Sequence, residues 1–346
     1  MVTSTVTYAI AQNSFISPNI ALDDIPTTAS FVVKSDRAGN YWSVASNGSI
    51  CSVSTDASIP LQSAIDALRT KEGGDIYISS GTYEMRTLPI RVYGNIEIIG
   101  AGIFDGSGGY SRGTRLIQAA EGDLLTFTGS SKEFMFSLKN IGIVGRNGTY
   151  STGSGLKIVA DDTNGGEFCD ALIDYVFFEN FPEYGLYTNQ GWGWMIDHTI
   201  IEFNNKGGLF VPPNTSSSLK ICNSKMITNN GCGATIGSSG AMIENSEFSS
   251  WTNDYSTAGL LLQSSGIKVV GCSFLKPTAN RCVGITVSTW GNIIMANTFA
   301  DNLTYNIRLI AGNQTIIGNL IGNSLLDKIK LDNNANQLIQ NNMNYP

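Results

Sequence analysis

The sequence predicts an all-β solenoid, a parallel β-helix in which short strands stack coil on coil. Two observations predict it. The first is texture. The stretch IIMANTFADNLTYNIRLIAGNQTIIGNLIGN, Ile293 to Asn323, alternates brief β-branched or aromatic runs with Gly and Asn and carries almost no charge. Apolar runs this short, punctuated this often, are strands and not helices. The second is period. Asn297, Asn319 and Asn341 stand 22 residues apart, as do Asn223 and Asn245. LIDYVFFENF around Asp174, MIDHTIIEFN around Asp197 and VVGCSF around Cys272 are further copies, at spacings of 22 to 27 that loosen before Asp174. A repeated corner gives asparagine a physical role. It tolerates the left-handed backbone of a tight turn, and its amide can bond to the coils above and below. The same corner is expected to accept Asp, Cys or Gly.

The elements follow in chain order. Residues 1–55 read as a small N-terminal β-module. ASFVVKSDRAGNYWSVASNGSICSV has short strands joined by turns at Asp36–Asn40 and Asn47–Gly48. It is either a separate attachment module or a strand extension that packs on the element after it. Residues 56–346 form the solenoid, and it opens with a capping helix at about 60–70. Leu61, Ala64, Ile65 and Leu68 recur at helical spacing, Pro60 suits the first turn, and Gly73–Gly74 ends the run. A helix here covers the open end of the stack, where unpaired strand edges would invite aggregation. DIYISSGTYEM and GNIEIIGAG are the first strands. QLIQNNMNYP stops on a repeat corner, so this end of the stack is expected to be covered by another copy of the chain in a homotrimer.

Helix, Gly-Gly, IYISSGTY and IEIIGAG together resemble the opening of the pectate-lyase-like right-handed parallel β-helix superfamily, in its phage tail-spike-like branch. The resemblance covers roughly residues 56–346. It implies a single-stranded right-handed helix, and residues 1–55 would then take the place of a virion-attachment region. Members include lyases, hydrolases and proteins without catalysis, so it does not assign a reaction.

Composition narrows the partners. Only 14% of the 346 residues are charged, the net charge is −7, and Lys and Arg nowhere cluster. Nucleic acid is excluded as a partner, since its phosphates require a cationic surface. No run of about 20 apolar residues spans a membrane. The first residues lack a secretory signal, so a virion or extracellular location requires lysis or a signal outside this sequence. A surface rich in Asn, Ser, Thr and Gly suits contact with sugars or with other copies of itself.

Candidate chemistry begins with carboxylates. Asp174 and Asp197, and Glu179 and Glu202, are each 23 apart. On successive coils each pair would stand about one strand spacing, roughly 5 Å, apart. Two like charges so close raise one pKa, as an acid catalyst requires. Asp174 and Asp197 are assigned to turns, which leaves Glu179 and Glu202 as the catalytic candidates, against a solvated outer face. Tyr184, Tyr187, Trp192, Trp194, Trp251 and Tyr255 are the substrate-binding candidates, since sugar rings stack on exposed aromatic faces. The alternative is that they pack in the core or between subunits. Trp194–His198 resembles the Trp-Ile-Asp-His motif of classical pectate lyases with Met195 inserted, a motif that is mainly structural in that family. One histidine, no Cys-x-x-Cys and no calcium ladder argue against a metal or other cofactor, and the six cysteines read as buried free thiols. The leading expectation is a virion surface or tail-spike-like protein that binds host polysaccharide and either cleaves it or does not. The alternatives are a secreted polysaccharide lyase or glycoside hydrolase, and a structural virion protein without catalysis.

Overall fold

The structure is a computed structural model. It describes residues 29–36, 38–103, 113–129, 135–160, 170–189, 191–213, 216–252, 257–275, 282–300, 304–324, 326–332 and 337–344. A typical coil has three short strands, which form the three flanks of the solenoid. Met195–Asp197 lies on the first flank, Ile200–Glu202 on the second and Gly207–Val211 on the third, before the chain returns to Lys220–Cys222 one coil on. Successive coils pair in parallel throughout. The first two flanks belong to one sheet because the longer strands Phe136–Val144 and Ala171–Glu179 bend from one to the other.

The interior explains why short β-branched runs suffice. On the first flank Ile173, Ile196, Ile221, Ile243, Val269, Ile294 and Ile316 stack in register, each fully buried. The second flank stacks Phe248, Phe274 and Phe299, with ring centroids 5.7 and 4.6 Å apart. Every inward residue packs on its equivalents above and below, so each strand needs only one or two apolar side chains to hold its place.

The corner between the first and second flanks divides its work over two residues. The first is left-handed and outward: Tyr175, His198, Asn223, Asn245, Gly271, Ala296, Gly318 and Asn341 all have positive φ. The second points inward and carries the ladder. Asn297 and Asn319 donate from their backbone N–H to the side-chain oxygens of Asn319 and Asn342, at 2.9 Å each. Their amides also donate to the same oxygens at 3.0 and 2.9 Å. The sequence reading gave both roles to one asparagine. The structure gives the ladder to Asn342 and only the left-handed turn to Asn341. Asp174 and Asp197 occupy neither position: each stands just before the left-handed residue, pointing outward, Asp174 within the bent strand Ala171–Glu179 and Asp197 at the end of Met195–Asp197.

The capping helix, α1, spans Ser58–Arg69 and buries Leu61, Ala64, Ile65 and Leu68, as the sequence predicted. Ahead of it, Phe31–Ser35, Tyr41–Ala45 and Ile50–Ser54 form an antiparallel meander. Phe31–Ser35 also pairs in parallel with Gly74–Ile78, so the meander continues the first sheet, and Phe31, Val33 and Tyr41 join the main core. Cys222, Cys272 and Cys282 are buried free thiols and Cys232 is half-buried. Cys51 is exposed, which corrects the expectation for that residue; Cys169 lies outside the described residues. Leu338, Ile339 and Met343, in the last described strands, are exposed. Among the described residues no helix is long and apolar enough to cross a membrane.

Candidate functional site

Glu179 and Glu202 end the second-flank strands of adjacent coils and pair directly in register, Phe177 with Ile200 and Glu179 with Glu202. Alternation sends Phe178 and Ile201 into the core and both carboxylates outward. Both are half-buried, and both titrate above the usual carboxylate range. Burial is the main cause for each. For Glu202 the charge of Glu179 adds to it and Lys225 partly offsets it. For Glu179 the offset comes from Arg115, whose Nη2 donates to Oε1 at 3.2 Å.

Arg115 reaches Glu179 from two coils away. In register between them stand Gly142 and Val144, opposite Arg115 and Glu179 respectively. Gly142 has no side chain, so the guanidinium crosses the intervening coil unobstructed. The result is a cleft of about 460 Å³ lined by Arg115, Ile117, Val144, Arg146, Glu179 and Phe203. Arg146 is held across one wall by Glu84 at 3.0 Å. Gly145 lies beneath, where a Cβ would meet the carbonyl oxygen of Asn180 at 2.4 Å. Phe203 follows Glu202 in the left-handed conformation (φ 57°), which turns its ring outward to 49% exposure at the edge of the cleft. The arrangement offers paired carboxylates, two fixed guanidinium groups and one exposed aromatic face.

The aromatic candidates separate. Tyr184 and Tyr187 lie on the third flank, around the corner from Glu179. They pack on Phe210 of the next coil, with centroids 5.0 and 5.7 Å away, and Lys157 lies over Tyr187. This half-buried cluster does not share a flank with the glutamates. Trp194 is 3% exposed and part of the hydrophobic core, so it presents no face to a sugar; the structure removes it from the binding set. Trp251 is exposed, immediately after the strand Glu247–Ser250 and two coils beyond Phe203. The side chain of Trp192 and all of Tyr255 lie outside the described residues.

A second cluster sits at the corner before this flank. Asp174 and Asp197 pair in register on the first flank, as the spacing of 23 implied. His198 Nδ1 is 3.0 Å from Asp197 Oδ1 and 3.7 Å from Asp174 Oδ1. The His198 ring stacks on Tyr175, 4.4 Å away and tilted by 3°. Asp197 titrates below the usual carboxylate range: burial pushes it up, but hydrogen bonds from Asn223, Cys222 and the His198 backbone outweigh burial. Cys222, desolvated and beside Asp197, is pushed up to about 11.

Arg115, Arg146, Phe203 and Phe210 were not identified from the sequence. Phe203 sits in MIDHTIIEFN, a stretch already recognised as a repeat copy, whereas Phe210 lies beyond the quoted copies. Arg115 and Arg146 precede Asp174, where the copies could not be aligned coil by coil.

No family model matches the chain, and no curated protein matches it in sequence. Solved structures do match in fold. ORF18 of Geobacillus virus E2 superposes with a TM-score of 0.64 at 15% identity, over 89% of this chain and 68% of that one. The Dettilon tailspike protein superposes at 0.61 and 13% identity, over 84% of this chain and 59% of its own. DFA-IIIase from Arthrobacter chlorophenolicus, crystallised without its lid, gives 0.61 and 14%, over 84% and 86%. The chain therefore has the right-handed parallel β-helix fold expected from its opening residues, and it spans about three-fifths of the Dettilon tailspike.

Proposed function

We propose that this chain is the glycan-engaging shaft of a virion tail-spike-like protein, and that it binds a cell-surface polysaccharide in the cleft lined by Glu179 and Phe203, beside Glu202, and hydrolyses it. The observation that carries this reading is the in-register glutamate pair, one member lining the cleft and the other on the next coil, both shifted upward. The two carboxylates start about 4.8 Å apart along the stack, which is near the separation of a retaining glycosidase pair and too short to place a water between them. Among the described residues Glu202 has no arginine partner, and it feels the charge of Glu179, so it is the proton donor to the departing sugar oxygen. Glu179, held by Arg115, is the anionic nucleophile. Phe203 offers a stacking face to the ring at the cleft edge.

The likeness in fold to the Dettilon tailspike protein supports the virion assignment. On that reading the chain assembles as a homotrimer and residues 1–55 join other virion proteins. The span shared with DFA-IIIase supports a second reading, a free-standing extracellular glycosidase on the same site. Incubating the protein with a panel of capsular and O-antigen polysaccharides, and following reducing ends and unsaturated uronides, tests the reaction. Reducing ends without unsaturation, retained anomeric configuration, and a loss of about 10²–10⁴-fold in both Glu202→Gln and Glu179→Gln are expected. Unsaturated products, or full activity in both variants, would remove the glutamate pair as the catalytic site. A stable monomer in light scattering would remove the trimer and favour the second reading.

A further inference from the structure

We propose that Asp174, Asp197 and His198 form a binding site for a divalent transition metal of the zinc class, clipping two successive coils together. The sequence argued against any metal because no ligand spacing is visible along the chain. The ligands converge only through the stack. Asp174 comes from one coil and Asp197 and His198 from the next, and one donor atom of each lies within 4.8 Å of the other two.

Three further observations point to a cation between them. First, Asp174 Oδ1 is buried and accepts no hydrogen bond among the described residues. A desolvated carboxylate oxygen without a donor is costly, and a metal would satisfy it. Second, the ladder around the pair supplies no fixed cation. Lys139, in register before Asp174, is drawn to Glu97 at 2.5 Å, and the residue after Asp197 in register is the neutral Cys222. Third, the ligands are held in place. Asn223 donates to Asp197 Oδ1 at 3.0 Å, and stacking on Tyr175 fixes the His198 ring with Nδ1 toward both carboxylates. Such outer partners orient ligands in protein metal sites.

The donor set selects the metal. One imidazole nitrogen with two carboxylates suits Zn²⁺, Co²⁺ or Ni²⁺, whereas Ca²⁺ takes six to eight oxygens. Three protein ligands leave a coordination position open to water or to a sugar oxygen. The site does not depend on the glutamate pair.

The test uses full-length protein free of any histidine tag and stripped with chelator. ZnCl₂ is titrated by calorimetry and CoCl₂ by visible absorption. Because the chain has a single histidine, histidine-labelled protein gives one imidazole signal, which reports this site alone. One Zn²⁺ per chain, a shift of that signal, and a change in the Co²⁺ spectrum are expected, with CaCl₂ unable to compete. Asp174→Asn and His198→Asn should each weaken Zn²⁺ binding about tenfold or more. His198→Asn is the safer variant for folding, since Asn223, Asn245 and Asn341 already occupy the same left-handed corner position. Absence of Zn²⁺ binding, or binding equally strong in both variants, would overturn the site and leave a plain His–Asp hydrogen bond.

Discussion

Two halves of the solenoid share one interior and differ outside. On the first flank the inward ladder runs Ile173, Ile196, Ile221, Ile243, Val269, Ile294, Ile316, hardly changing along the axis. The outward ladder one residue on runs Asp174, Asp197, Cys222, Glu244, Val270, Met295, Ile317, from charged to apolar. The inward corner position changes too, from the hydroxyls of Thr199, Ser224 and Ser246 to the amides of Asn297, Asn319 and Asn342. Folding constrains the interior at every coil because each side chain must fit two neighbours. The exterior is constrained only where something binds, and both candidate clusters lie in the charged half. Substitutions inside should therefore be costly in either half, while substitutions outside should matter only near the clusters.

The largest effect is expected at the aromatic stack. Phe274 lies fully buried between Phe248 and Phe299. Phe274→Ala should cost about 3–5 kcal/mol, read as a lowered denaturant midpoint, because the rigid coils above and below cannot collapse into the cavity. A cost under about 1 kcal/mol would mean that the coils do relax, and that the interior is less constrained than the comparison holds.

The two corner ladders should differ in strength. Asn319 accepts from Asn297 and donates to the Ile294 carbonyl and to Asn342, all at 2.9–3.1 Å. Asn319→Ala strands several buried groups and should cost about 2–3 kcal/mol. Ser224 accepts from the Thr199 N–H and donates to the Cys222 carbonyl. Ser224→Ala should cost only about 1 kcal/mol. Equal costs measured by urea unfolding would show that the amide ladder adds nothing over hydroxyls.

This contrast also explains what the sequence could reveal. Period and texture are properties of the interior, so the solenoid, the helix with Leu61, Ala64, Ile65 and Leu68 buried, and the pairing of Glu179 with Glu202 were all legible. Phase is harder: one residue separates Asn341 from Asn342, and both are asparagine, so spacing could not tell the turn from the ladder. Relations between distant coils were not legible at all. Arg115 meets Glu179 only because Gly142 lies between them, and Asp174 meets His198 only through the stack. Trp194 read as a loop aromatic because nothing in GWGWMID marks the return of the chain to the core.

The smallest expected effect tests the outside directly and has the opposite sign. Glu202 is half-buried and its folded pKa lies above the unfolded value, near 4.3 for a free glutamate. Below that value the side chain is neutral in both states and has no influence. As pH rises, the unfolded chain ionises first, and the native state is left carrying a penalised charge beside Glu179. Glu202→Gln should therefore leave stability unchanged at about pH 3.5 and raise it at pH 7, by less than about 1 kcal/mol because solvent screens the pair. Urea midpoints at the two pH values measure this. A variant less stable than wild type at pH 7 would mean that attraction to Lys225 dominates, and Glu202 would then be an ordinary surface carboxylate unsuited to donate a proton.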